Sequence, residues 1–401
     1  ILPILLYHFN TFSATFLISN LLASPILIFS LISSMIFILL LLVLKPLGIL
    51  LSYFLHPILS LLIQIARITG NLPFSQILVP TPSIWQIGVY YFILFMFFFR
   101  KDKLPKLYHH RKKILLIAIF VILLPHILSI FPSNQLTISM IDVGQGDSIL
   151  VQTPMGKTLL VDGGGSEMGT FDVGEKTLLP YLLDRKITKI DYLLFSHFDS
   201  DHCKGLLTIL EKIKVKNVII ARQGELSENF KQFSKLAEEK QVKIILVQAG
   251  DKISLDSQTK LNILFPEATL LSENILNNNS IVAKLIWSKQ PQYSLLLTGD
   301  IEQIAEEKLI DAYQNTDELQ ATILKVAHHG SKSSSTFNFL ELIKPKISII
   351  GVGENNHFGH PNEGVLDRLK NCGSKIYRTD LNGEIVIVIR ENGKITVKTK
   401  M

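Results

Sequence analysis

The chain has 401 residues, of which 48% are hydrophobic and only 18% charged; this is too apolar for an ordinary soluble protein and leaves room for two or three domains. Its formal charge of +6 is uneven, because residues 1–131 carry nine Lys and Arg against the single acid Asp102, while 132–401 carry the other 31 against 33 acids. Bulk positive charge is therefore excluded as the means by which the second part would grip a polyanion, and two cysteines, Cys203 and Cys372, exclude a disulfide framework or a cysteine-type zinc site.

The chain starts at Ile1 with neither a charged n-region nor a small-residue cleavage site, so it does not read as opening on a signal peptide, and it is expected to be a piece of something longer. Uncharged apolar stretches at 21–44, 46–66, 83–99 and 114–131 predict four transmembrane helices. Residues 1–20, broken by Pro3, His8 and Asn10, fit the end of another span, a re-entrant piece or an interfacial helix. His56 and His126 fall inside spans and read as helix-packing hydrogen-bonders. The segment RKDKLPKLYHHRKK (100–113) holds seven Lys and Arg between the last two spans. Short loops of that kind stay cytoplasmic, which would put everything after residue 131 on the outer side of a multi-pass plasma-membrane protein. The same segment also suits anionic lipid headgroups.

From residue 132 the pattern becomes that of an α/β domain. LTISMID (136–142), SILVQT (148–153) and KTLLVD (157–162) read as a meander with glycine-bearing turns. Strands then alternate with helices: KIDYLLF, a helix near 203–212, KNVIIA, a helix near 226–239, VKIILV and KLNILF. Next come SIVAKLIW, YSLLLTG, a helix at 301–314, TILKVA, a helix near 336–343, ISIIGV and a helix near 362–371. KIYRT, GEIVIVIR and KITVKT end the chain. This order predicts a layered α/β sandwich of two mixed sheets, with ample length for a full core.

The histidines locate the chemistry. Of eleven, five lie in 1–131, and the other six fall in three stretches only: SHFDSDH (196–202), AHHGS (327–331) and HFGHP (357–361). Each follows an apolar strand run, and LLTGD places Asp300 at the end of a fourth, so all four can meet along one edge of the sandwich. Within SHFDSDH, His197, Asp199 and Asp201 alternate along an extended segment while Asp201 and its neighbour His202 point apart. One segment can thus address two metal positions, and a carboxylate such as Asp300 can bridge them. Imidazole with carboxylate suits Zn²⁺, and a carboxylate-rich position suits Mn²⁺ or Mg²⁺. Asp142, Gln145, Gly146 and Asp147 read as bracing for the site, since such loops orient metal-binding histidines through their outer nitrogens. His357 and Cys203 read as structural.

Six ordered motifs, DVGQGDS (142–148), VDGGG (161–165), SHFDSDHCKG (196–205), LLTGD (296–300), LKVAHHGSKSSS (324–335) and FGHP (358–361), together resemble the metallo-β-lactamase-fold domain of the ComEC family of DNA-internalisation competence proteins. The apolar first third resembles, by composition, the last spans of that family's competence domain. The resemblance implies an αββα sandwich, and two divalent ions, Zn²⁺ or Mn²⁺. His197 and Asp199 would hold one and Asp201 and His202 the other, with Asp300 bridging and one histidine of the HHGS pair, His329 by preference, completing the second. The family's superfamily more often has His at the place of Asp199, and a further His expected before Asp300 is absent from 203–299, so one site is expected to be oxygen-rich and weaker.

The implied reaction is hydrolysis of a phosphodiester by a water whose pKa the ions lower. Asp201, His328 and His360 are the catalytic candidates, the two histidines to protonate the leaving group or hold a phosphate oxygen. Ser331 and Lys332 are the substrate-binding candidates, at the start of the next helix. The implied function is uptake of single-stranded DNA across the membrane with degradation of the strand left outside, alongside other uptake components. The alternatives are a phosphodiesterase acting on a surface lipid or teichoic-acid-like group, and a non-catalytic, metal-stapled guide for DNA.

Overall fold

A computed structural model describes residues 1–98, 109–128, 133–166 and 171–401. The chain divides into two compact units, residues 1–112 with 183–186, and residues 113–182 with 187–401.

In the first unit, a short helix Leu2–Phe9 leads into strand β1 (Thr11–Phe12), which pairs antiparallel with β2 (Ile77–Leu78). Between them run two helices, Phe16–Val43 and Lys45–Gly70, of 28 and 26 residues. At 1.5 Å per residue each is about 40 Å long, enough to cross a hydrocarbon core of roughly 30 Å. Their outward side chains are apolar, Leu21, Phe29, Leu42 and Phe54 among them, as a surface solvated by lipid requires. They are joined tightly at Leu44, and a Cβ on Gly48 would run into the backbone of Leu41. Among the described residues only these two helices are both long and apolar enough to span. The third and fourth expected spans appear as helices Ile84–Phe98, of 15 residues, and Arg111–Leu128, of 18 residues, the latter falling mostly in the second unit. Most of the basic segment 100–113 on which the orientation rested, and the ends of spans 83–99 and 114–131, lie outside the described residues.

The second unit is a sandwich of two mixed sheets. The first has the order β17 (Ile395–Lys400), β16 (Glu384–Arg390), β3 (Gln135–Met140), β4 (Ile149–Gln152), β5 (Thr158–Val161), β6 (Lys189–Leu194), β7 (Lys214–Ile220), β8 (Lys243–Leu246), antiparallel as far as β5 and parallel from there. The second has the order β15 (Lys375–Arg378), β14 (Ile347–Ile350), β13 (Ile323–Lys325), β12 (Leu295–Leu297), β11 (Val282–Trp287), β10 (Thr259–Phe265), β9 (Lys252–Ser254), parallel from β15 to β12 and antiparallel beyond. Alternation puts one face of each sheet inward: Ile385, Ile387 and Ile389 of β16 are all buried, with Ile387 opposite Ile138. They meet Leu261, Ile263, Leu285 and Trp287 of the other sheet in one core. Burying each such side chain contributes about 2 kcal/mol. The outer face of the second sheet is covered by helices Gln303–Tyr313, Phe337–Ile343 and Glu363–Asn371 through Leu309, Phe339, Leu340, Val365 and Leu369. Helix Ser200–Lys212 lies against the first sheet, and helix Glu228–Glu239 packs on that helix. The αββα architecture is as the sequence implied.

Because β12, β13 and β14 run parallel, the turns after Leu297, Lys325 and Ile350 leave one edge together. In the other sheet β5 and β6 are parallel with Val161 opposite Leu194, so Asp162 and Ser196–His197 emerge side by side. Ile281 N donates to Ser196 O at 2.9 Å, tying the two edges into a single rim.

Candidate metal centre

Ser196 N and Oγ both donate to the carboxylate of Asp162, at 2.8 and 2.7 Å, which fixes the chain as it leaves β6. Asp199 then takes the extended N-cap conformation, and its carbonyl accepts from His202 N and Cys203 N. The helix therefore starts at Ser200, three residues earlier than its sequence expectation. Asp201 and His202 lie on its first turn, not on an extended continuation of His197 and Asp199. Asp201 gains there from the positive end of the helix.

Three loops are laced to this turn through backbone alone. Gly163 N donates to His202 O at 2.7 Å, Gly205 N to Gly164 O at 3.0 Å, and Gly164 N to Asp147 O at 2.9 Å. No side chain fits at the crossing, since a Cβ on Gly205 would collide with the carbonyl of Gly163 and one on Gly163 with the amide of Leu206.

Hydrogen bonds on the outer ring nitrogens set which nitrogen faces inward. His202 Nδ1 lies 2.9 Å from Asp162 Oδ2, and His329 Nδ1 lies 2.7 Å from Gly351 O, an oxygen that only accepts. Both rings thus keep a proton on Nδ1 and turn Nε2 toward the cluster, where its lone pair is free for a cation once its own proton leaves. These two Nε2 atoms are 3.3 Å apart; Asp300 Oδ2 lies 3.1 Å from that of His202 and 3.2 Å from that of His329, and Asp201 Oδ2 is 3.4 Å from the latter. Four acceptors so close together need protons or a cation between them. Donors around a tetrahedral ion at about 2.0–2.1 Å stand roughly 3.3 Å from one another, so the spacing fits a divalent metal. Asp147 approaches the same rings from behind, 3.8 Å from His202 Nδ1 and 3.6 Å from His329 Nδ1. Asp147, His202, Asp300 and His329, all buried, can each offer an atom within 4.8 Å of the others.

His197 is oriented likewise, with Nδ1 3.0 Å from Ser196 Oγ and a buried Nε2 that has no hydrogen-bond partner, 3.6 Å from Asp199 Oδ2. Asp199 is 39% exposed at its side chain. This second donor pair is poorer in ligands, with one imidazole and one carboxylate.

Beneath Asp300 sits Lys325, 1% exposed, its ammonium in contact with Asp147 Oδ2, 3.3 Å from Asp300 Oδ1 and donating to Gly299 O at 2.7 Å. Asp300 thereby turns Oδ1 to the lysine and leaves Oδ2 for the histidines. Burial opposes charge on every member, yet the neighbours prevail. His202, His329 and Lys325 hold the Asp300 carboxyl well below the usual carboxylate range, Lys325 and His329 lower Asp147, and His202 and His329 lower Asp201. Conversely, against burial, Asp300 leads in raising both His202 and His329 well above an ordinary imidazole, and Asp147 and Asp300 raise Lys325.

The remaining candidates sit farther out. His328 and His329 both have left-handed backbone, φ 48° and 51°, a strained conformation that swings the two rings apart. His328 Nε2 is 3.9 Å from Asp300 Oδ2, and its Nδ1 is 3.4 Å from Glu302 Oε1. The His360 ring centre lies 5.7 Å from that of His328, and burial followed by the two neighbouring histidines pushes its pKa down to about 4. Ser331 is buried with its hydroxyl 2.9 Å from that of Ser333, and Lys332 is exposed. The amides before helix Phe337–Ile343 are engaged from within: Thr336 N donates to Glu306 Oε2 at 2.8 Å, and Ser335 N to Oε1. Ser331 is thus joined to its own loop, and the amides of Ser335 and Thr336 at the start of the helix are filled by Glu306. Burial raises the Cys203 thiol, in keeping with a structural residue. The residues that sequence reading passed over are Asp162, Lys325, Glu302 and Glu306. Asp162 ends an apolar strand just as Asp300 does, and Lys325 is a charge inside the apolar run TILKVA, so both carried a signal.

Two mixed sheets with this histidine and carboxylate rim define a metallo-β-lactamase-superfamily domain, and the Metallo-beta-lactamase superfamily model matches residues 141–279. The Competence protein family model matches residues 1–104. Joined in one chain, these two domains place the protein in the ComEC-like competence family, to which it belongs. It is 30% identical over 398 residues to ComE operon protein 3 of Bacillus subtilis, covering 96% of this chain and 50% of that one. It is 28% identical over 267 residues to Competence protein ComA of Neisseria gonorrhoeae, covering 65% and 33%. The chain thus spans half or less of the length of these relatives. Among solved structures, CmlA, a diiron β-hydroxylase from Streptomyces venezuelae, overlaps 64% of this chain and 54% of its own at 14% identity and a TM-score of 0.40.

Proposed function

We propose that the chain serves DNA uptake, with residues 1–131 in the membrane and the hydrolase domain of residues 132–401 on the extracytoplasmic side, cleaving phosphodiester bonds of the strand that does not enter. The observation that carries the hydrolytic reading is the buried trio of His202 Nε2, Asp300 Oδ2 and His329 Nε2, 3.1–3.3 Å from one another, with Asp201 Oδ2 3.4 Å from His329 Nε2. The basic segment 100–113 supports the orientation.

In this reading Asp201, His202, Asp300 and His329 would hold one Zn²⁺ or Mn²⁺, and His197 with Asp199 would hold a second, weaker one, Asp300 contributing to both. Such ions supply Lewis-acid polarisation of a phosphoryl oxygen and a lowered water pKa. The chain's own part is orientation: Asp162 and Gly351 O keep the Nδ1 protons on His202 and His329. His360, neutral at pH 7, can hold a phosphate oxygen through its N–H. His328, with its ring between Asp300 and Glu302, is the nearer candidate to protonate a leaving oxygen. Lys332, exposed beside this turn, offers a charge to the next phosphate. The membrane, single-stranded DNA and further uptake components are the expected partners.

The test is cleavage of single-stranded DNA by the full chain in detergent with Mn²⁺ or Zn²⁺, beside Asp201→Ala and His202→Ala. Cleavage lost in both variants, with metal binding reduced in both, is the expected result. Metal bound by the parent without cleavage of any phosphodiester would refute the nuclease and favour a DNA guide; cleavage confined to choline phosphodiesters would favour a lipid or teichoic-acid substrate.

A further inference from the structure

Resting on that reading, we propose that Phe358 is a stacking platform for one base of a single-stranded nucleic acid whose phosphate lies at the metal centre. Phe358 is a large aromatic side chain left 68% exposed, which costs apolar surface unless something covers it. Its ring lies 5.8 Å from that of His360, at an interplanar angle of 16°. The His360 ring is in turn 6.5 Å from that of His329, at 30°. The three rings form a ladder from the buried ligand cluster to the surface, and the outermost face is open. A base carried a short way along a strand whose phosphate lies at the cluster could reach across such a distance.

The loop that carries Phe358 is built to hold its shape. Asn356 spans it, Nδ2 donating to Gly353 O at 3.1 Å and to His360 O at 2.7 Å while Oδ1 accepts from His360 N at 3.1 Å. Asn362 N donates to Gly330 O at 2.8 Å, anchoring the loop to the turn that carries His328 and His329. Gly359, at φ 69°, supplies the left-handed step between the exposed Phe358 and the inward His360. The loop backbone is therefore held relative to the ligand turn before any substrate arrives, so less ordering entropy is lost on stacking. A face of this kind takes any base, and it also explains how a domain with a slightly acidic balance could favour nucleic acid over simpler diesters.

The experiment compares the full chain with Phe358→Ala and Phe358→Trp on three probes in Mn²⁺: a single-stranded oligonucleotide, the same oligonucleotide with one abasic position scanned along it, and bis(p-nitrophenyl) phosphate, which has no base. Stacking is worth about 1–3 kcal/mol per base, so Phe358→Ala should raise KM for the oligonucleotide about 5- to 150-fold with kcat little changed. Phe358→Trp should retain the parent KM, the abasic position next to the cut should cost the parent but not Phe358→Ala, and bis(p-nitrophenyl) phosphate should be hydrolysed alike by all three. An unchanged KM in Phe358→Ala, or an equal loss on bis(p-nitrophenyl) phosphate, would overturn the platform while leaving the hydrolase intact. Were the parent to hydrolyse neither substrate, the nuclease would fail and the platform would be decided by binding: quenching of a 2-aminopurine oligonucleotide by the parent and not by Phe358→Ala supports it, and equal quenching overturns it.

Discussion

Replacing Lys325 by Met tests the electrostatic design of the centre most directly. The ammonium is 1% exposed and touches Asp147 and Asp300, while Met is nearly as long and carries no charge. Two carboxylates held below their ordinary range would lose their nearest fixed cation without gaining water. Removing one partner of a buried ion pair costs about 3–5 kcal/mol, and in a domain of this size each kcal/mol lowers Tm by about 2–4 °C. Lys325→Met should therefore unfold about 6–20 °C below the parent in EDTA, followed by the fluorescence of Trp287, which is buried between the sheets. Mn²⁺ should recover part of that loss, because an ion on Asp300 Oδ2 restores positive charge to the same carboxylate. Adding Asp147→Asn should recover part as well, since the variant then buries one uncompensated charge fewer. A Lys325→Met chain as heat-stable as the parent in EDTA would refute the reasoning, as would a double variant no better than the single one.

Asp162→Asn should keep the fold but lower metal affinity about 10- to 100-fold, because the amide cannot hold the Nδ1 proton of His202 as a carboxylate does; isothermal titration with Zn²⁺ measures it. The pH dependence of the metal-free chain has two limbs. His202 and His329 are raised on folding, so their stabilisation is fully present below about pH 6.5 and is lost as pH rises through the folded values; Asp147, Asp201 and Asp300 are lowered, so theirs is present above about pH 3.9 and lost as pH falls through the folded values. Tm in EDTA should accordingly fall on both sides of a mildly acidic optimum. Because an ion displaces the protons of both imidazoles, apparent metal affinity should climb with pH, and calorimetry in buffers of different ionisation enthalpy should detect proton release. Absence of proton release near neutral pH would contradict the assignment of Nε2 as the inward donor.

Much of this molecule is written in local pattern. The period-two runs of β3 and β16 and the long uncharged stretches of the first third announce their environments, since each reports a solvent that its neighbours share. The confinement of six histidines to strand ends drew attention to the correct edge of the sandwich. What stayed hidden depends on residues far apart in the chain. The start of the helix at Ser200 follows from Asp199 capping with its backbone, whereas side-chain propensity alone pointed later. That Glu306 fills the amides of Ser335 and Thr336 needs a partner 30 residues away. Lys325 lies within a strand run, and its role shows only in the fold, because its two carboxylate partners come from loops of both sheets.

The glycine crossing of residues 163 and 205 has a consequence for metal exchange. With backbone meeting backbone there, the ligand loops form one rigid piece, and folding rather than the ion bears the entropy of assembling them. An ion can then leave and another enter without the rim coming apart. The choice among metals falls to the donor atoms and to supply rather than to a loop that closes around the winner. Any Cβ introduced at either glycine would convert that exchangeable socket into one that must be rebuilt around each ion.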